Sequence, residues 1–131
     1  MRTGELNFQE AREALEQLYE STDEGRRFVL RLYVLYAFND EYGRKGVKCP
    51  EDSEDYHFFA ENCREMIRME KTEGTLKAEL YREIGEFDKC IEYLDSLEPA
   101  KEYENKVRSQ IRLMAENKQK EVDVTPKSWT V

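Results

Sequence analysis

The chain has 131 residues with a formal net charge of −8, and 38% of its residues are Asp, Glu, Lys or Arg. The length suits one domain with its own core, and the acidic balance disfavours nucleic-acid backbones, which are bound by clustered Lys and Arg. Six glycines and three prolines are too few for the many turns of a sandwich or barrel. We therefore predict an all-α fold of about six helices in antiparallel hairpins, forming a superhelix or a small helical bundle.

Cysteine usage and apolar run lengths bear on the compartment. The odd number of cysteines and their wide spacing are not typical of a disulfide framework, and they favour reduced thiols and a cytoplasmic location: Cys49, Cys63 and Cys90. The first residues are polar and do not resemble the apolar part of a signal peptide. The longest apolar stretch, residues 28–38, is too short to cross a bilayer, so we expect no membrane contact.

The first helix is predicted from Asn7 to Tyr19. Asn7 is a favoured N-cap and Glu10 stands three residues later, which is the spacing of a capping box. Apolar side chains recur at intervals of three or four residues, as on one face of a helix: Phe8, Ala11, Leu15 and Leu18. We expect this stripe to be buried.

The second helix is predicted to begin at a capping box of Ser21 and Glu24 and to stop at Gly43. Within residues 28–38, every residue except Arg31 is apolar or aromatic. A helix that is apolar on nearly all sides has to be covered on most of them. We therefore expect this helix at the centre of the domain.

Four further helices are predicted after a loop at residues 43–53, which lacks periodicity and contains two glycines and a proline. The third covers about 54–71 and the fourth ends near Ile84, with Thr75 as its N-cap after Gly74. A turn at Gly85 and Glu86 leads into the fifth, and the sixth begins around Lys101. Two apolar faces are expected in the core: Tyr56, Phe59, Ala60, Cys63, Met66 and Ile67 in the third helix, and Tyr103, Val107, Ile111 and Met114 in the sixth.

Residues 74–97 contain a pattern of two helices joined by a glycine turn. One small and one aromatic residue precede the turn, and one aromatic and one small residue follow it. The pattern resembles one tetratricopeptide (TPR) motif and is carried by Ala78, Tyr81, Gly85, Phe87 and Cys90. The chain departs from the family at Gly74 and Lys77, where a tryptophan and a leucine are usual. Small residues are needed where two helices approach closely. We expect one helical-hairpin domain over residues 1–117 and a polar, flexible tail over 118–131, in which Trp129 is unexplained.

The resemblance implies a binding function, because TPR arrays present a concave groove lined by the first helix of each hairpin. On this register the groove residues are Thr75, Glu79, Arg82 and Glu83; an ordinary solvated helix face is the competing interpretation. The implied function is a non-catalytic protein–protein interaction module or scaffold for a protein or peptide partner. Self-association is also expected, since a hairpin array has open ends.

Catalytic and metal-binding patterns are weak in this sequence. His57 is the single histidine, and its spacing from the cysteines is not that of a zinc site. The acidic run at residues 51–55 lacks the alternation of a calcium loop and suits a helix N-terminus. We therefore expect no enzyme activity, no metal and no cofactor. The alternative is a regulatory helical domain that binds a small ligand or nucleic acid through the second helix, with Arg26, Arg27 and Arg31 as its basic patch.

Overall fold

A computed structural model describes residues 7–43 and 46–120, and 72% of these residues are helical. No strand occurs within these two ranges, so the predicted all-α class is confirmed. The described α-helices, in chain order, are α1 (Phe8–Leu18), α2 (Glu24–Phe38), α3 (Glu54–Arg68), α4 (Gly74–Glu83), α5 (Phe87–Ser96) and α6 (Glu102–Glu116). Residues 121–131, including Trp129, lie outside the described residues.

The chain forms two compact units that divide within α3. The first unit ends at Met66 and contains α1, α2 and most of α3. The second begins at Ile67 and contains α4, α5 and α6. The division between the units lies inside the range 1–117 that the sequence assigns to one domain.

Helix α1 begins at the predicted capping box. The Asn7 side chain accepts a hydrogen bond from the Glu10 amide at 2.8 Å, and the Glu10 carboxylate accepts one from the Asn7 amide at 3.0 Å. The predicted burial of Phe8 and Leu15 is confirmed, but Leu18 is 46% exposed. Leu18 was wrongly placed in the core because it lies in the last turn, at the edge of the apolar stripe.

Helix α2 begins at a different cap from the predicted one. Asp23 is the N-cap, and its side chain accepts a hydrogen bond from the Arg26 amide at 2.8 Å. The Ser21 hydroxyl instead donates to the Leu18 carbonyl at 3.1 Å. Ser21 therefore completes the end of α1, and the predicted capping box of Ser21 and Glu24 was wrong.

The far end of α2 runs into a short π-helical turn, Asn39–Gly43, so the helical backbone stops at the predicted glycine. The buried side chains of α2 form one broad face: Leu30, Val34, Leu35, Ala37 and Phe38. Val29 and Tyr36 are each 41% exposed. The expectation that α2 is covered on most sides therefore holds only in part, because the rest of its apolar surface meets solvent.

Aromatic rings from all three helices meet at one end of the first unit. The rings of Phe38 and Phe59 stack with centroids 3.8 Å apart, and the Phe8 ring meets Phe38 edge-on at 5.5 Å. Phe8 begins α1, Phe38 ends α2 and Phe59 lies near the start of α3. Helices α1 and α3 are therefore parallel to each other, and α2 is antiparallel to both.

Small side chains form the centre of the second unit. The buried cluster consists of Ala78, Cys90, Ile111 and Ala115, each at most 2% exposed. Ala78 on α4 and Cys90 on α5 therefore belong to the same buried cluster. The Tyr93 hydroxyl accepts a hydrogen bond from the Gly74 amide at 2.8 Å, so the end of α5 lies beside the start of α4 and the two helices are antiparallel.

Helix α6 is parallel to α4 and has one open face. Ile111 and Met114 are buried as predicted, whereas Tyr103 is 45% exposed and was wrongly expected in the core. Tyr103 lies in the first turn of α6, two residues after the capping residue Lys101. The apolar contacts of α6 therefore begin about one turn later than predicted.

None of the described helices combines the length and apolar character needed to span a membrane.

Candidate functional site

The four predicted groove residues lie on α4, and three of them are buried. Glu79 is 5% exposed, Arg82 is fully buried and Glu83 is 3% exposed. These three side chains were predicted on an open helix face, because a pattern of mixed charge is typical of a solvated surface. Their burial shows that this position was wrong. A partner cannot reach these charges without rearrangement of the second unit.

The Arg82 guanidinium is paired inside the second unit. It donates from Nε to the Glu79 carboxylate at 2.8 Å and from Nη1 to the Gln119 carbonyl at 2.7 Å. Burial lowers the pKa of Arg82, but the charge and hydrogen bonds of Glu79, followed by the charge of Glu83, outweigh burial and raise it. Arg82 therefore ties the segment after α6 to α4.

Thr75 takes part in a different network and does not cap α4. Its hydroxyl donates to the Glu104 carboxylate at 2.8 Å and accepts from Nε of Arg108 at 2.9 Å. The N-cap of α4 is Glu73, whose side chain makes no capping hydrogen bond. Thr75 therefore joins α4 to α6 side by side, and the predicted cap was wrong.

The first unit contains a cavity of about 400 Å³ between α1, α2 and α3, which we call the α1–α3 pocket. Its surface is mainly apolar. The lining residues are Leu15, Glu16, Tyr19, Arg31, Phe58, Glu61, Asn62 and Glu65. None of them was singled out as a binding residue from the sequence except Arg31.

The pocket exists because the contacts between the helices differ along their length. At one end of the first unit, the stacked rings of Phe38 and Phe59 fill the space between α2 and α3. Farther along, the same two helices are joined by Arg31 and Asn62, a pair of polar side chains. The space beside this polar pair is left open, and it forms the pocket.

Asn62 fixes the inner wall of the pocket. Its Oδ1 accepts a hydrogen bond from Nη1 of Arg31 at 3.0 Å, and its Nδ2 donates to the Arg31 carbonyl at 3.1 Å. Asn62 is 2% exposed, so these bonds satisfy an amide that burial would otherwise destabilise. The sequence held a signal for this residue, because Asn62 shares the helical spacing of the buried Phe59 and Met66.

Three carboxylates surround the pocket and exceed its one guanidinium. The Glu16 and Glu61 side chains are 56% and 60% exposed, and their pairs with arginines on their own helices are long, at 4.0 and 3.8 Å. Glu65 lies one turn after Glu61 on α3 and is partly buried. The rim of the pocket therefore carries both signs of charge, since Glu16 and Glu61 lie beside Arg12 and Arg64.

Most of the predicted basic patch is engaged in contacts within the first unit. The Arg27 guanidinium lies 4.1 Å from the centroid of the Tyr19 ring and donates from Nε to the Tyr19 carbonyl at 2.6 Å. The Arg31 guanidinium lies 5.3 Å from the same ring. Arg26 remains exposed. Two of the three arginines therefore support the pocket wall through cation–π contacts.

Metal-binding and nucleophilic chemistry has little geometric basis in the described part of the chain. There, no group of three His, Cys, Asp or Glu side chains could hold a metal ion. His57 is exposed, and the three cysteines are buried. Burial, followed by the charge of Glu79, raises the pKa of the Cys90 thiol to about 11, so this thiol stays protonated near neutral pH.

Comparison of the chain with protein-family models, with curated proteins and with solved structures gives no match in any of the three. The functional argument therefore depends on the residues of this chain.

Proposed function

We propose that this chain is a non-catalytic protein-interaction module that receives a segment of a partner polypeptide in the α1–α3 pocket. The observation that carries the proposal is the pocket itself, with an apolar surface and a charged rim. Helix-based modules bind peptides in this way, with an apolar side chain anchored in a groove and polar groups at its edge. The site proposed here replaces the α4 groove that the TPR resemblance implies.

A helical-hairpin repeat of the TPR-like kind is the proposed framework. Two observations support it. Each unit has the same order of directions, with a first and third helix parallel and the second antiparallel. Ala78 and Cys90 are both fully buried in one cluster, as expected for two positions of close helix approach.

The proposed location is the cytoplasm, which is supported by three buried cysteines that form no disulfide.

A small-molecule ligand is the second candidate for the same pocket. The cavity volume of about 400 Å³ falls within the range of roughly 300–1,000 Å³ that is typical of small-ligand sites. Nucleic acid is a weaker alternative, because Arg27 and Arg31 are already held by Tyr19 and Asn62 and because the formal net charge of the chain is −8.

The proposal is tested by selecting peptides from a random library against the full chain and measuring their affinity by fluorescence anisotropy. The Tyr19→Ala variant removes one wall of the pocket. We expect it to weaken binding at least about tenfold, which corresponds to about 1.4 kcal/mol. Circular dichroism checks that the variant remains folded.

Tyr103→Ala is the matched control, because it deletes an exposed tyrosine of the second unit. We expect its affinity to equal that of the wild-type chain. Equal losses in both variants, or selected peptides that bind Tyr19→Ala at full affinity, would contradict the proposal. Saturation of the pocket by a small molecule and failure of every peptide to compete would favour the second candidate.

A further inference from the structure

We infer that residues 118–120, which follow the C-cap of α6, form a strap over the Arg82 guanidinium that opens while the rest of the second unit stays folded. We call this segment the α6 strap. The inference goes beyond the proposed function, since it concerns α4 and the end of α6 and uses no residue of the α1–α3 pocket.

The α6 strap folds back onto the end of α4. The Gln119 carbonyl accepts a hydrogen bond from Nη1 of Arg82 at 2.7 Å. A Cβ built on Gly85 would lie 3.3 Å from Cδ of Lys120, so the Lys120 stem passes close over the turn between α4 and α5. Because Arg82 is fully buried and bonds to the strap directly, the strap is part of the cover that separates its guanidinium from solvent.

The backbone at the start of the strap favours opening. Lys118 turns the chain back toward α4 with φ of +55°, and its side chain is exposed. Gly85 makes the corresponding turn after α4 with φ of +84°, and glycine adopts this conformation without strain. A lysine is strained there because its Cβ approaches the backbone. Part of that strain is released when the strap leaves α4.

The Arg82 charge stays paired when the strap opens. Its Nε donates to the Glu79 carboxylate at 2.8 Å, and its Nη2 pairs with the same carboxylate. Both partners lie on α4, three residues apart, so these bonds do not depend on the strap. Opening exchanges the Gln119 carbonyl for water at one N–H group, which costs far less than leaving a buried charge without its counterion.

The buried apolar cluster of the second unit, as far as the structure describes it, is built without the strap. That cluster consists of Ala78, Cys90, Ile111 and Ala115. The strap residues Gln119 and Lys120 are only partly buried, so their departure exposes little apolar surface. Segments with few buried apolar contacts open at a lower free energy than the core to which they are attached. The strap is therefore a lid whose opening brings the Arg82 guanidinium into contact with water.

Chemical modification of the full chain tests the inference. Phenylglyoxal reacts with accessible guanidinium groups, and mass spectrometry of the digested chain measures its reaction at Arg82 relative to the exposed Arg26. We expect Lys118→Gly to slow the relative reaction of Arg82 about two- to fivefold, because glycine removes the strain and keeps the strap closed. Lys118→Val should speed this reaction at least about fivefold, since a β-branched residue is strained further at positive φ.

Lys118→Ala is the matched control, because it removes the same charge and retains the Cβ. We expect its relative reaction rate at Arg82 to equal that of the wild-type chain. Equal rates in Lys118→Gly and Lys118→Ala, or a slower reaction in Lys118→Val, would overturn the inference.

Native-state amide hydrogen exchange separates opening of the strap from unfolding of the unit. The Gln119 amide donates to the Met114 carbonyl at 2.8 Å and loses this bond when the strap opens. Relative to its intrinsic rate, we expect this amide to exchange at least about a hundredfold faster than the Ile111 amide in the middle of α6. Lys118→Gly should narrow that ratio about two- to fivefold. Equal protection of the two amides would mean that the strap opens only with the whole unit, contrary to the inference.

Discussion

Arg82 places a full positive charge inside the second unit. Its guanidinium is fully buried and is held by the Glu79 carboxylate and the Gln119 carbonyl. A charge removed from water destabilises a fold by several kcal/mol unless it is paired and hydrogen-bonded. The pairing of Arg82 is therefore a condition for α4 and α6 to end side by side.

Removal of one partner tests this role. We expect Arg82→Ala to lower the free energy of unfolding by about 3–5 kcal/mol, because it leaves the Glu79 carboxylate buried without its counterion. Chemical denaturation followed by circular dichroism measures the change. The control is Lys89→Ala, which removes an exposed pair with Glu86 at 3.5 Å and should cost less than about 1 kcal/mol.

A loss for Arg82→Ala no larger than that for Lys89→Ala would show that the buried pair is not required. Replacing both Glu79 and Arg82 by methionine should recover part of the loss, since the Glu79 carboxylate is then no longer buried without its counterion.

The buried charges could not be predicted from α4 alone. Its alternation of Glu, Arg and Lys is typical of an exposed face, and Gln119, a partner of Arg82, lies 37 residues away. Asn62 is the opposite case. Its position between Phe59 and Met66 on one helical face predicts burial, and the polarity of its side chain then requires a partner such as Arg31.

At the scale of elements, α4 and α6 end in the same type of cap. In α4 the Gly85 amide donates to the Arg82 carbonyl at 3.0 Å, and the Glu86 amide donates to the Tyr81 carbonyl at 2.9 Å. In α6 the Lys118 amide donates to the Ala115 carbonyl at 3.0 Å, and the Gln119 amide donates to the Met114 carbonyl at 2.8 Å. This is the Schellman pattern, which requires a left-handed residue just after the helix.

Substitutions at the two residues with left-handed backbone conformation are expected to change the stability in opposite directions. Gly85 has φ of +84° and Lys118 has φ of +55°. We expect Gly85→Ala to destabilise the chain by about 1–2 kcal/mol, since a Cβ is strained in this region. Lys118→Gly should stabilise it by about 0.5–1 kcal/mol, because glycine adopts this conformation without strain.

Thermal or denaturant unfolding of both variants checks the two signs. Stabilisation by Gly85→Ala, or destabilisation by Lys118→Gly, would contradict the assigned backbone conformations.

Helix ends were predicted correctly where one capping or stop signal was present, and wrongly where two capping residues competed. Asn7 with Glu10, and the glycines at 43 and 85, fixed three helix ends because no rival cap lies nearby. Before α2, both Ser21 and Asp23 are good caps, and the local pattern does not choose between them. Asp23 is used because Ser21 is engaged by the carbonyl of Leu18.

At the scale of the whole molecule, the all-α class was predictable and the binding site was not. Composition and periodicity determine helices, and both are local properties. The α1–α3 pocket is built from residues 15–65, and it exists because aromatic side chains meet at one end of the first unit and polar side chains meet at the other. No single segment of the sequence contains that contrast.

The central claim is that a partner segment occupies the α1–α3 pocket. The most direct measurement is a titration of the ¹⁵N-labelled full chain with a peptide selected from the random library, monitored by amide chemical shifts. We predict saturable shifts concentrated at the pocket residues of α1, α2 and α3. Shifts concentrated on α4–α6, or no saturable shifts in α1–α3, would contradict the claim.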